Sequence, residues 1–97
     1  MANGPFYRGG NSLKPRPCDY RVDKATGLLF ANRGVSVSDR PDGLEHFGGA
    51  YLVTQIPAEL RIVQVGHNAH HFEIVPVQPM TLDDYEKALD QVVLTAV

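Results

Sequence analysis

The chain has 97 residues, 43% of them hydrophobic and 21% charged, which is the composition of one folded domain over residues 1–97 and not of a disordered segment. Its net charge of −2 is too small to indicate binding to nucleic acid or to a membrane surface, and no apolar run approaches the roughly 20 residues that cross a bilayer. The single cysteine, Cys18, excludes an internal disulfide and favours a reducing cytoplasm.

Charge is distributed unevenly along the chain. Residues 1–40 hold seven Lys/Arg against three Asp/Glu, a net +4, whereas residues 41–97 hold two against eight, a net −6. A basic N-terminal half suits an anionic ligand such as a pyrophosphate. Opposite charges also help two halves of a domain to dock, and the sequence leaves both interpretations open. The first five residues lack the basic and apolar regions of a secretory signal.

The first half of the chain predicts short elements separated by turns. Residues 5–10 read as a short strand that ends in glycines, and residues 35–37 alternate at period two, as a strand does. Two prolines between residues 11 and 19 indicate a loop. A Pro-Asp-Gly sequence predicts a turn over residues 39–43, and residues 44–47 predict one helical turn stopped by two glycines.

The second half predicts most of the sheet and one helix. Alternating and β-branched residues favour strands over residues 50–56, 60–65 and 72–77, with a hairpin loop at residues 66–70. A helix is expected from Thr81 to Val93, because a threonine cap and early acidic residues precede an apolar stripe at three-and-four spacing. These elements predict an α+β fold: a small, bent antiparallel sheet, split in two, with one C-terminal helix packed on it.

Three segments carry a resemblance to a known family. They are the run Arg33-Gly34-Val35-Ser36-Val37-Ser38-Asp39-Arg40, the pair Ile56-Pro57, and the run from His71 to Met80. Read in this order, they resemble the Tse-two family of bacterial toxins exported by type VI secretion. The resemblance covers residues 33–80 and, more weakly, the first strand. It implies an ADP-ribosyltransferase-like fold with NAD as cofactor. It also implies action in the cytoplasm of a target cell, and an immunity or antitoxin protein as partner.

The resemblance also implies a set of site residues. Ser36 matches the serine of the family motif, and Glu73 lies late in the sheet, where many transferases place a catalytic glutamate. Arg8 is expected to bind the diphosphate, because its planar guanidinium suits paired oxygens. The expected catalytic residues are Ser36 and Glu73, and the expected NAD-binding residues are Tyr7, Arg8, Arg33, Ser36, Ser38 and Arg40.

Departures from the family pattern keep other functions open. Val35 replaces a motif threonine, Glu73 stands where the family has a threonine, and the chain is short for this fold. The activity that the resemblance implies is NAD-dependent ADP-ribosyl transfer to an unknown acceptor, or NAD hydrolysis. The alternative is a non-catalytic protein-binding module that keeps the fold. A third reading is an interaction domain whose basic half docks an acidic partner.

Three histidines raise the question of a metal site. His67, His70 and His71 lie close in sequence, but His70 and His71 would point to opposite faces of a strand. No nearby cysteine or aspartate completes a tetrahedral set. The sequence therefore predicts solvent-exposed loop histidines and no metal.

Overall fold

The computed structural model describes residues 4–97; the first three residues, which begin the stretch predicted to lack a secretory signal, lie outside it. Within the described residues, six strands form one antiparallel sheet in the order β4-β5-β2-β1-β3-β6. The strands are β1 (Tyr7–Gly9), β2 (Val35–Ser38), β3 (Ala50–Gln55), β4 (Leu60–Gln64), β5 (His71–Pro76) and β6 (Val93–Ala96). One α-helix, α1 (Leu82–Leu89), follows β5. The α+β class, with an antiparallel sheet and one helix, is confirmed.

The sheet is continuous, so the expected division into two sheets is wrong. Strands β1 and β2 are joined by the single residue pair Tyr7–Ser38, whereas β2 and β5 are joined by four. This one pair keeps the hydrogen-bonded order unbroken. Strand β1 pairs with β3 over all three of its residues but with β2 only at Tyr7. A gap therefore opens between the two central strands.

The core lies between one face of the sheet and α1. Val35, Ile74 and Tyr85 are completely buried there. The Tyr85 hydroxyl accepts a hydrogen bond from the Val35 N–H (3.0 Å) and donates one to the Ile74 carbonyl (2.5 Å), so it bridges β2 and β5. Gly34 precedes β2 at this crowded point, and a Cβ atom on it would lie 1.9 Å from the Ile74 oxygen. Only glycine fits there.

The helix begins where the sequence predicts and ends four residues early. Thr81 caps it by accepting a hydrogen bond from the Asp84 N–H at 3.1 Å. The prediction that it continues to Val93 is wrong, because α1 ends at Leu89 and Val93 begins β6. Strand β6 pairs with β3, and this pairing outweighs the helical spacing of the apolar residues. In the described part of the chain no helix is long and apolar enough to cross a membrane.

Candidate functional site

A cleft opens where β1 and β2 separate. Its volume is about 850 Å³, within the ~300–1,000 Å³ typical of small-molecule and cofactor sites. Side chains of both strands line it, together with most of the loop from residue 10 to 17, Phe47 and His71. Four of the residues predicted for NAD binding meet in this cleft: Tyr7, Arg8, Ser36 and Ser38.

Arg8 bridges the gap between the separating strands. Its Nη1 donates to the Ser36 carbonyl (2.8 Å) and its Nε donates to the Ser12 carbonyl (3.0 Å). Burial lowers the pKa of the Arg8 guanidinium, and the negative charge of Asp19 opposes this shift. A guanidinium has five N–H donors, so three remain without a partner among the described residues. The side chain is therefore a half-buried cation bound to neutral carbonyls, with donors left for an anion.

Three side chains form a row across the floor of the cleft. Tyr7 on β1 pairs with Ser38 on β2, and Ser38 pairs with His71 on β5. Directly opposed residues share one face of a sheet, so these three side chains lie on the cleft face. Ser36 lies on this same face, two residues before Ser38. The row places hydroxyl groups on the same face as a ring that both accepts and donates protons.

The loop after β1 adds two cations to the cleft. Lys14 and Arg16 both line it and both are exposed. Neither was among the residues predicted for the site, although the excess of basic residues in the first half of the chain was a signal for them. No Asp or Glu lines the cleft within the described residues. The lining of the cleft therefore presents Arg8, Lys14 and Arg16 without an Asp or Glu, although Asp19 lies outside the lining at 3.8 Å from Arg16 Nε. This excess of positive charge favours anions.

Glu73 lies on the same face of the sheet as Ser36 and His71 but does not line the cleft. Its side chain is almost fully buried, and both carboxylate oxygens are occupied. One oxygen accepts from the Gly34 N–H (2.9 Å) and from Arg33 Nε (3.3 Å), while the other contacts His71 Nε2 (3.0 Å). This position differs from the expected one, in which Glu73 would stabilise positive charge on a bound substrate. The cause is the register of β2 and β5, which pairs Glu73 with Ser36 next to Gly34.

The other two arginines expected to bind NAD point elsewhere. Arg33 is held by Glu73, and neither Arg33 nor Arg40 lines the cleft. Arg40 contacts His70 Nε2 through its Nη2 at 2.6 Å, and His70 Nδ1 contacts Asp39 Oδ1 at 2.9 Å. These contacts form a small polar cluster at the end of β2. Residues 4–97 contain no group of three or more His, Cys, Asp or Glu side chains that could hold a metal ion.

His71 lines the cleft but was not among the residues predicted for the site. It was expected in an exposed loop, but it is the first residue of β5 and its side chain is only 36% exposed. The alternation His71, Glu73, Val75 along one strand face was the available signal, since it places the imidazole and the carboxylate two residues apart on the same side.

Comparisons with known proteins add no relative to this description. No protein-family model matches the chain, and no curated protein or solved structure is significantly similar to it. The cleft and the sequence resemblance are therefore the grounds for a functional proposal.

Proposed function

We propose that the cleft between β1 and β2 binds NAD and that the chain is an ADP-ribosyltransferase-like toxin. The observation that carries this proposal is Arg8, a half-buried cation with unused donors in a cleft of about 850 Å³ that no carboxylate of the described residues lines. Such a site favours a ligand that combines negative charge with extended polar and aromatic groups. A dinucleotide has this combination.

Each end of the ligand has a set of matching groups in the cleft. Arg8, with Lys14 and Arg16 beside it, suits the diphosphate, because guanidinium and ammonium donors form charge-assisted hydrogen bonds to phosphate oxygens. Ser36 and Ser38 offer hydroxyls for the nicotinamide amide and its ribose. Tyr7 adds an aromatic face and a hydroxyl in the same row.

The wider biological role rests on the resemblance to the Tse-two toxins. The resembling segment contains Ser36, which lines the cleft, and Gly34, which the structure requires for steric reasons. On this basis the chain acts in the cytoplasm of a target cell. An immunity protein would bind it in the cell that makes it.

The direct test is a calorimetric titration of the full chain with NAD. We expect saturable binding that weakens by roughly 10- to 100-fold in Arg8→Gln, because the variant loses charge-assisted hydrogen bonds worth about 1.5–3 kcal/mol. Ser36→Ala should weaken binding as well. Arg61→Gln is the matched control, since Arg61 is exposed on the edge strand β4 and does not line the cleft. Binding that is absent, or equal in Arg8→Gln and the control, would refute the proposal.

A second candidate function is a module that binds a ligand or partner through this cleft without chemistry. One observation favours it: no carboxylate in the described residues faces the cleft, and Glu73 is committed to Gly34, Arg33 and His71. Transferases of this fold ordinarily use a carboxylate to stabilise the oxocarbenium ion. Release of nicotinamide from bound NAD distinguishes the two functions, because only the enzyme produces it.

A further inference from the structure

His71 and Glu73 form a histidine–carboxylate pair at the edge of the cleft. His71 lines the cleft with its side chain 36% exposed, while the Glu73 side chain is 4% exposed. His71 Nε2 lies 3.0 Å from Glu73 Oε2. A buried carboxylate that contacts one ring nitrogen of a half-exposed imidazole orients the ring and selects its tautomer.

The partners of Glu73 determine which nitrogen of His71 carries the proton. Oε1 of Glu73 accepts from the Gly34 N–H and from Arg33 Nε, which can only donate. The carboxylate is thus an acceptor on both sides, and Nε2 of His71 is the donor in the third contact. In the neutral imidazole, Nδ1 then carries the lone pair, and Nδ1 has no hydrogen-bond partner among the described residues.

His71 lines the cleft that we assign to NAD, and its Nδ1 is the ring nitrogen left without a partner among the described residues. Across the strand its neighbour is Ser38, and Tyr7 follows in the same row. The charged groups that share the cleft with it are Arg8, Lys14 and Arg16, all cations. Since no carboxylate of the described residues lines the cleft, His71 is the group there best suited to accept a proton.

We propose that His71 is the general base that activates a water molecule for cleavage of NAD, and that Glu73 is its positioning residue. This inference rests on the proposed function. In the step, the water oxygen bonds to the anomeric carbon of the nicotinamide ribose as the bond from that carbon to the nicotinamide nitrogen breaks. The bonding electrons stay with nicotinamide, which leaves neutral, and the proton of the water passes to His71 Nδ1. The products are ADP-ribose and nicotinamide.

Glu73→Gln is the sharpest variant for this role. The two donors at Oε1 require an oxygen there, so the glutamine amide must turn its NH₂ group toward His71 Nε2. Nε2 would then become the acceptor and Nδ1 would carry the proton. The side chain keeps its size and its bond to Gly34, but the base in the cleft is lost. His71→Gln is the companion variant, because it removes the base and keeps the buried carboxylate.

The experiment measures NAD binding and nicotinamide release by the full chain in separate assays. We expect the wild type to bind NAD and to release nicotinamide. Both variants should lose roughly 10²–10⁴-fold in rate, the usual contribution of general acid–base catalysis, with NAD affinity unchanged. Nitrogen NMR of the histidine rings should show the tautomer of His71 reversed in Glu73→Gln. His67→Gln, in the exposed loop before β5, is the control.

The outcomes separate this inference from the function on which it rests. Equal release by the wild type and both variants, or an unchanged His71 tautomer in Glu73→Gln, would overturn the role of His71. So would NAD binding with no release by the wild type, although the cleft would still be a NAD site. An absence of NAD binding would overturn the proposed function and this inference together.

Discussion

At the scale of single residues, Tyr85 links the helix to two strands of the sheet. Its hydroxyl lies between the Val35 N–H and the Ile74 carbonyl, so one tyrosine on the helix completes the hydrogen bonding between β2 and β5. Burial raises the pKa of Tyr85 to about 12, with nearby Asp19 and Glu73 adding to the shift. The hydroxyl therefore stays neutral, and able to donate, well above neutral pH.

Tyr85→Phe should destabilise the protein by about 1–3 kcal/mol, because the buried Val35 N–H loses its partner. The pH dependence follows from the raised pKa. A phenol whose pKa is higher in the folded state contributes stability that is complete below its unfolded pKa of about 10 and is lost as the pH rises toward 12. Urea unfolding of both proteins should show a difference that narrows across this window. Tyr51→Phe is the control, and a difference that stays constant or widens with pH would contradict the assignment.

At the scale of elements, the segment after β5 is determined by a local cap at its start and by strand pairing at its end. Thr81 starts α1, and Lys87 pairs with Asp83 one turn earlier at 3.0 Å. Beyond Leu89 the chain leaves the helix, and β6 pairs with β3 across a register shift between Val53 and Gln55. The helix is therefore eight residues long and depends on its cap more than a longer helix would.

Thr81→Ala should cost about 1 kcal/mol of stability, since the Asp84 N–H loses its side-chain acceptor. In a domain of this size the melting temperature should fall by roughly 4–8 °C, which differential scanning calorimetry would detect. Thr81→Ser keeps the acceptor oxygen and should stay close to the wild type. If Ala and Ser behave alike, the capping bond does not stabilise α1.

At the scale of the whole molecule, the sheet gathers positive charge around one opening. Arg8, Lys14 and Arg16 come from the basic half of the chain and surround the cleft. The acidic half supplies all of β4, β5 and α1, whose one buried carboxylate, Glu73, does not line the cleft. The charge asymmetry of the sequence thus has a spatial counterpart in the fold.

If the proposed function is right, NAD binding should weaken as the salt concentration rises. Raising the ionic strength from about 0.05 to about 0.5 M shortens the screening length about threefold. The attraction between the cleft cations and the diphosphate should then weaken, and the affinity for NAD should fall. Lys14→Ala and Arg16→Ala should each bind more weakly at low salt and show a flatter salt dependence in the same titration. Lys24→Ala removes an exposed cation that does not line the cleft, so it should match the wild type. An affinity independent of salt would mean that these cations do not contact the ligand.

Much of the local structure could be predicted because its causes are local. Strands β2 to β5 follow from alternation and β-branched residues, and the turn at residues 45–47 ends where Gly48 adopts positive φ. The start of α1 follows from its cap. The end of α1 could not be predicted, because Val92 and Val93 continue the helical spacing although valine also favours a strand, and pairing with the edge of β3 decides between the two.

The site divides in the same way. Residue types, the basic half of the chain and the segment around Ser36 were all visible in the sequence and indicated a polar, arginine-bearing pocket. Only the tertiary structure brings residues 7, 38 and 71 into one row. It also buries Glu73 outside the cleft lining and places His71 in that lining. The physical reason is that strand register and burial arise from pairing between distant segments, and a shift of one residue would turn each of these side chains to the other face.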